Sequence, residues 1–362
     1  LGILKIITSG ELYKLRKYRI WKGLLKDYKR YPFNPLKVLS IHRKGFLVND
    51  WEILGLTNSN YKGYLSSKQY NSIHPINGYY SKLIDDKITI KYILSGTELS
   101  KYMPDYYYII DENGNLRPML DAIDECDKLG FQDIVELLKA KKRLAIKLIT
   151  GSIGKGFYKA EYKDEKIYVN NKELTEGEFK TLLSGLRNYI VSEYLLPHPD
   201  IARIWPKTPN TLRYLVGSVN GEWRMIKSFI RFGSNSTGSV ENFNAGGVLC
   251  YIDENGYYNG GYIIGRKDKH VFSTRITMHP DNAEVLEGRI PCWEDIQACV
   301  EGIERLLPQT RYLGFDFVVT DDNIVKILEV NSLTSLDAIQ LDKSILATEN
   351  GKWFFSSFSS IK

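Results

Sequence analysis

The 362-residue chain is poor in cysteine and histidine. Its four cysteines, Cys126, Cys250, Cys292 and Cys299, form no CxxC pair, and its five histidines show no HExxH spacing. That excludes a disulfide framework and argues against a structural zinc site. It points to a reducing, cytoplasmic setting. No apolar run approaches the ~18 residues needed to span a bilayer. The opening stretch, LGILKIITSGELYK, has no apolar core of signal-peptide length. Repeats and low-complexity segments are missing. So are a Walker GK[ST] loop, a dinucleotide fingerprint and a convincing nucleophilic triad. No nucleic-acid-binding module is recognisable.

What is present is ordinary for a globular protein: 43% hydrophobic and 25% charged residues, with 25 Tyr, 14 Phe and 6 Trp. Such a chain buries enough apolar surface to fold. At roughly 150 residues per domain it should hold two to three domains. The net charge of +6 is unevenly spread. Residues 1–45 hold twelve Lys or Arg against Glu11 and Asp27, a local +10 that leaves the remainder at −4. Leu, Tyr and Trp alternate with the cations in ELYKLRKYRIWKGLLKDYKRY. Such an arm suits an anionic membrane surface, nucleic acid, or a helix packed on the protein with a solvated basic face.

The pattern along the chain predicts an α+β order. Residues 10–30 read as a helix, stopped by Pro32 and Pro35. Residues 36–80 read as short helices and turns, and Leu83–Leu94 as a helical stretch. Tyr106–Ile110 opens a hairpin through Glu112–Asn115, and a helix follows over Gln132–Lys142. The strand 144–149 leads into a glycine loop and two strands joined at Lys163-Asp164. Glu176–Asn188 reads as a helix and Tyr189–Leu196 as a strand. A hairpin turns at Asn220-Gly221. A Gly-rich stretch over 233–261 precedes a helix at 293–306, and a last hairpin turns at Asp321-Asp322-Asn323.

That last hairpin carries the strongest chemical signal. Glu329 and Asn331 are two apart on a strand and share a face. A tight hairpin brings Asp316 beside them. Two carboxylates and an amide oxygen on a rigid sheet suit Mg²⁺, which completes its shell with water and phosphate oxygens. The alternative is that both carboxylates face solvent or pair with Arg or Lys. A second signal is the loop at 147–157, with Gly151, Gly154 and Gly156 after Lys147 in an apolar strand. It is either a tight turn or a flap over phosphates. A third is the cationic set Arg213, Lys227 and Arg231 on one hairpin, suited to a transferring phosphoryl group or simply to a half-exposed sheet.

The order of these features resembles the ATP-grasp superfamily, and more narrowly the sugar-transfer-associated ATP-grasp proteins of bacterial polysaccharide gene clusters. The similar text is ING…LIDDK (76–87), the flap, EYLLPHP (193–199), NTLRYLVG (210–217), ENFNAGGVLCYIDENG (241–256), MHPDN (278–282) and GFDFVVTDDNIVKILEVN (314–331). It covers about residues 60–342. The resemblance implies two α+β subdomains gripping ATP under a glycine-rich flap. A basic, largely helical region at 1–80 would precede an ATP-grasp domain at 81–362, with its flap subdomain at about 140–196 and its catalytic subdomain at about 205–345.

It further implies roles for residues. Lys147 and Lys87 would contact ATP, with Lys227 in the same nucleotide site and Gly151, Gly154 and Gly156 in the flap. The backbone of Glu193, Tyr194 and Leu195 would meet adenine. Arg213, Arg231 and Asn242 would be catalytic, with Gly246 and Gly247 in a second phosphate loop and His279 near the acceptor. Asp316, Glu329 and Asn331 would bind one or two Mg²⁺. Two departures stand out. Leu148 replaces a proline often found after the flap lysine, and SLTSLDAIQ replaces a proline-containing start of the acceptor region. The implied chemistry is an ADP-forming ligase joining a carboxylate to an amine through an acyl phosphate. A kinase acting on a sugar or lipid-carrier hydroxyl, or a non-catalytic scaffold, are the alternatives.

Overall fold

A computed structural model describes residues 16–31, 34–122, 130–150, 156–238 and 241–361. Gly151, Gly154, Pro32 and Cys126 lie outside the described residues. At the N-terminal end are helices α1 (Arg16–Arg30), α2 (Pro35–Arg43), α3 (Val48–Ile53), α4 (Ser67–Ile73), α5 (Ser81–Asp85) and α6 (Lys87–Ser95). The helical stretch expected over 83–94 is therefore two helices. Asp86 divides them: its side chain accepts a hydrogen bond from the Thr89 N–H at 2.7 Å and so caps α6.

The first sheet contains β1 (Tyr106–Ile110), β2 (Leu116–Pro118), β3 (Arg143–Leu148), β4 (Tyr158–Lys163), β5 (Lys166–Val169), β6 (Lys172–Leu174) and β7 (Tyr189–Glu193). Its order is β2-β1-β7-β3-β4-β5-β6, and every pairing is antiparallel. Helices α7 (Phe131–Lys141) and α8 (Glu176–Ser184) cover it. α8 starts at a Thr175–Glu178 capping box. It stops four residues before the expected end, at the Gly185 cap, and Asn188 then turns left-handed (φ 60°) to enter β7.

A one-turn helix α9 (Pro199–Ala202) leads to the second sheet. This sheet contains β8 (Leu212–Val219), β9 (Glu222–Phe232), β10 (Val248–Ile252), β11 (Tyr257–Asn259), β12 (Gly261–Lys267), β13 (His270–Ile276), β14 (Glu287–Arg289), then β15 (Tyr312–Val319) and β16 (Val325–Asn331). The main path runs β13-β12-β10-β9-β8-β15-β16. The β8–β9 turn is the expected Asn-Gly type, with positive φ at both Asn220 (54°) and Gly221 (86°). The strands β12–β14 were not legible in the sequence. Three apolar residues in a row, Tyr262, Ile263 and Ile264, hide the alternation there.

One face of the second sheet is apolar. Helix α10 (Trp293–Leu306) lays Trp293, Ile296, Cys299, Val300 and Ile303 on it, one helical face at spacings of three, three, one and three. Glu294 and Asp295 in its first turn and Arg305 in its last suit the helix dipole. The opposite face carries charge. Short helices α11 (Leu336–Gln340) and α12 (Glu349–Phe355) and the N-terminal helices pack around it.

The two sheets are stitched together beyond the end of β7. The His198 N–H donates to the Val319 carbonyl at 2.8 Å, the Asp321 N–H donates to the Leu196 carbonyl at 3.2 Å, and Pro197 bridges to Thr320.

Candidate active site

Register builds the charged face. Arg213 lies opposite Asp316, and Asp316 lies opposite Glu329, so three adjacent strands contribute one row. A one-residue shift between β15 and β16 follows Asp316, leaving Leu328 unpaired. This bulge turns both Ile327 and Val330 into the core while Glu329 and Asn331 stay on the charged face.

Arg213 grips Asp316 with two bonds, Nε to Oδ1 at 2.6 Å and Nη2 to Oδ2 at 2.8 Å. Its Nη1 donates to Thr334 Oγ1 at 3.0 Å. Gly314 makes this approach feasible, since a Cβ there would stand 2.8 Å from Thr334 Oγ1 and 3.4 Å from the Arg213 side chain. Arg231 Nη2 also reaches Asp316 Oδ1 at 3.0 Å and donates to Thr211 Oγ1 at 2.5 Å. Burial alone would raise the Asp316 carboxyl, but the two guanidiniums overcome it and hold the group well below the usual carboxylate range. Lys87, on the first turn of α6, pairs with Glu329 Oε2 at 3.0 Å. Asn331 Nδ2 donates to Asp316 Oδ2 at 3.4 Å and to Glu329 Oε1 at 3.2 Å.

Lys147 arrives from the first sheet. Its ammonium sits 5.2 Å from the Tyr106 ring and, among the described residues, has no carboxylate partner. Burial, then the nearby Lys87 ammonium, push it down to about 7, against an opposing pull from Glu329. Gly156, where the described chain resumes, has φ 71° and abuts Tyr189 and Leu148.

Beside the inter-sheet joint, a cleft of about 220 Å³ is lined by Glu193, Tyr194, Leu195, Leu196, Asp321 and Lys326 among others. Leu195 is buried. Burial raises the Glu193 carboxyl, against a hydrogen bond donated by the Asp105 N–H at 3.1 Å.

Other expected site residues are placed differently. Lys227 binds both oxygens of Asp342 at 2.7 Å and lies 3.9 Å from the Tyr251 ring centre, so its charge is matched within the protein. Asn242 caps the short 3-10 turn Phe243–Ala245, its side chain accepting from the Asn244 N–H at 3.0 Å. Gly246 and Gly247 complete that turn, with the Gly247 N–H donating to the Asn242 carbonyl at 3.1 Å. His279 is buried, stacked on Trp205, with Nε2 at 2.8 Å from the Gly233 carbonyl and Nδ1 accepting from the Asp281 N–H at 3.3 Å. Both ring nitrogens thus serve loop backbone.

Sequence reasoning missed Thr211, Thr334 and Glu241. Glu241 accepts from the Thr211 N–H at 3.3 Å; burial raises its carboxyl, and Arg231 opposes that rise. Glu241 opens the quoted ENFNAGG stretch, and Thr334 follows Asn331 by three. Polar residues so close to the recognised motifs were the available signal.

Among the described residues no group of three or more His, Cys, Asp or Glu could hold a metal. The donor set at the hairpin is two carboxylates and one amide. Such hard oxygens leave coordination positions for water and phosphate, which fits Mg²⁺.

The family model that matches the chain is described as sugar-transfer associated ATP-grasp and covers residues 67–350. No curated protein matches. Similar solved structures include three ligases. One is the ATP-grasp ligase PsnB complexed with a phosphomimetic variant of a minimal precursor, Mg and ADP (10% identity, 79% of this chain and 61% of that one, TM-score 0.40). Another is D-alanyl-alanine synthetase A from Vibrio cholerae (13%, 70% and 56%, 0.40). The third is an L-amino acid ligase from Bacillus licheniformis (9%, 72% and 43%, 0.36). This chain spans less than two thirds of the length of each.

Proposed function

The chain belongs to the sugar-transfer-associated ATP-grasp family, and from that premise we propose that it is an ATP- and Mg²⁺-dependent carboxylate–amine ligase. The observation that carries this reading is the charged row itself. Arg213, Asp316 and Glu329 lie side by side on one sheet, with Arg231, Lys87 and Lys147 converging on it. Four cations around two carboxylates suit a polyphosphate bound with a metal ion.

Carboxylates react poorly with amines. In this reading the γ-phosphoryl of ATP passes to the substrate carboxylate, giving ADP and an acyl phosphate. An amine then attacks the acyl carbon, and phosphate leaves. Asp316, Glu329 and Asn331 would hold Mg²⁺, which would neutralise phosphate charge. Lys147 and Lys87 would hold the phosphates, and Glu193 to Leu195 would receive adenine. Arg213 and Arg231 would meet the transferring phosphoryl, so catalysis is positioning and charge neutralisation. The family's description, sugar-transfer associated, supports a sugar-linked substrate; in this reading the carboxylate is a sugar acid or glycan precursor of a cell-surface polysaccharide, and its partner an amine or amino acid.

The test is product analysis with uronic acids and amines supplied in pairs. A ligase forms ADP and free phosphate together, and only when both partners are present. ADP formed with a sugar alone, its phosphate retained on the sugar, would instead establish the kinase. No ADP across the panel, with no Mg-ATP binding, would leave the scaffold.

A further inference from the structure

The described portion of the basic arm has no part in the charged row, yet it has a definite surface. Between residues 16 and 44 the only acidic residue is Asp27. Its carboxylate is buried, 3.0 Å from His42 Nε2 and 2.9 Å from the Val48 N–H that it accepts. α1 packs against α2 and α4, with Gly23 close to Leu47. Val38 and Ile41 of α2 point into the core. Arg30 turns inward to Asn49 and the Lys269 carbonyl.

The outward side is therefore cationic and apolar at once. Lys22, Lys26, Lys29, Lys37 and Arg43 are exposed. Between them stand Leu25 (64% exposed), Leu36 (78%), Leu39 (37%) and Tyr28 (37%). Leu36, Leu39 and Arg43 follow one stripe of α2 at spacings of three and four. A solvated basic face would not need two helices' worth of exposed leucine. A nucleic-acid face would have little use for it, since phosphate contacts are made by the cations.

We propose that the outward face of α1 and α2 docks on an anionic lipid surface. The leucines and Tyr28 enter the headgroup–acyl boundary, and the lysines and Arg43 meet lipid phosphates. This is contact, not insertion: among the described residues no helix is long and apolar enough to cross a membrane. The charge complementarity is one-sided because the single acid is turned inward. Nothing in this docking depends on the reaction the chain performs.

The experiment is flotation of the full chain with vesicles of phosphatidylcholine alone or mixed with phosphatidylglycerol. Binding is expected only to the mixed vesicles and should weaken as salt rises. Leu36→Asn with Leu39→Asn should lower partitioning about tenfold while leaving salt dependence. Lys26→Glu, Lys29→Glu and Lys37→Glu together should abolish it. Thermal unfolding of each variant shows whether the fold is intact; these side chains are exposed, so wild-type values are expected. Equal recovery with both vesicle types, or folded leucine variants that bind like wild type, would overturn the proposal. So would tighter binding to a short DNA duplex that the leucine substitutions leave unchanged.

Discussion

The two sheets present charge in opposite ways. On the second sheet every member of the row has a protein partner: Arg213 and Arg231 with Asp316, Lys87 with Glu329. On the first sheet Lys147 brings a cation that has none among the described residues and lies over the Tyr106 ring. The paired row is already compensated and holds its own geometry. The lone ammonium is costly where it stands, and an anion from outside would relieve that cost. Charge that the protein has already paired is thus separable from charge that awaits a ligand, although both would face the nucleotide in the proposed site.

The separation is broken most sharply at Arg213. Arg213→Met leaves the buried Asp316 carboxylate to Arg231 alone and should cost about 3 kcal/mol of stability in denaturant unfolding, the lower end of what breaking a buried pair costs. Adding Asp316→Asn should recover most of it. A loss below about 1 kcal/mol would mean the pair is not structural. Lys147→Met should behave in the reverse manner. Its unfolding midpoint should hold or rise, while Mg-ATP affinity falls about a hundredfold by calorimetry. A variant that unfolds early and still binds ATP would merge the two categories.

The smallest effect is the pH dependence of binding. Lys147 is pushed down to about 7 in the free protein. Above that pH its ammonium loses the proton, and an arriving polyphosphate must draw one back. Binding should therefore weaken roughly tenfold between about pH 7 and 8.5, with proton uptake on binding. Lys147→Arg stays charged throughout and should remove the slope.

The parts of this comparison were unequally legible. Alternation placed Glu329 and Asn331 together, and the hairpin brought Asp316 to them. The bulge at Leu328 was not readable, because alternation alone cannot say where a strand carries an extra residue. Asp316 was expected as a metal ligand or an ion-pair partner, and its ion pairs with Arg213 and Arg231 come from β8 and β9, strands distant in the sequence. Lys227 illustrates the converse. It sits in apolar sequence just as Arg213 does, but its partner Asp342 lies in a segment with no periodic signal. Local pattern identifies a residue that needs compensation and is silent about what supplies it. The helix ends failed for simpler reasons: Asp86 divides a helix with a side-chain cap, and α8 ends at Gly185, ahead of the left-handed Asn188.

The joint between the sheets has a mechanical consequence. Main-chain bonds at 196–198 and 319–321 fasten the two bodies at one edge. Sliding would break those bonds, whereas a swing would bend them and work against the core that Tyr106 and Ile190 share with the second sheet. Glu193 pairs with Leu144 near that fulcrum, and Lys147 stands three positions further along β3. At about 3.3 Å per residue that is a lever arm of about 10 Å, so a rotation of about 10° carries Lys147 through about 2 Å while Glu193 hardly moves.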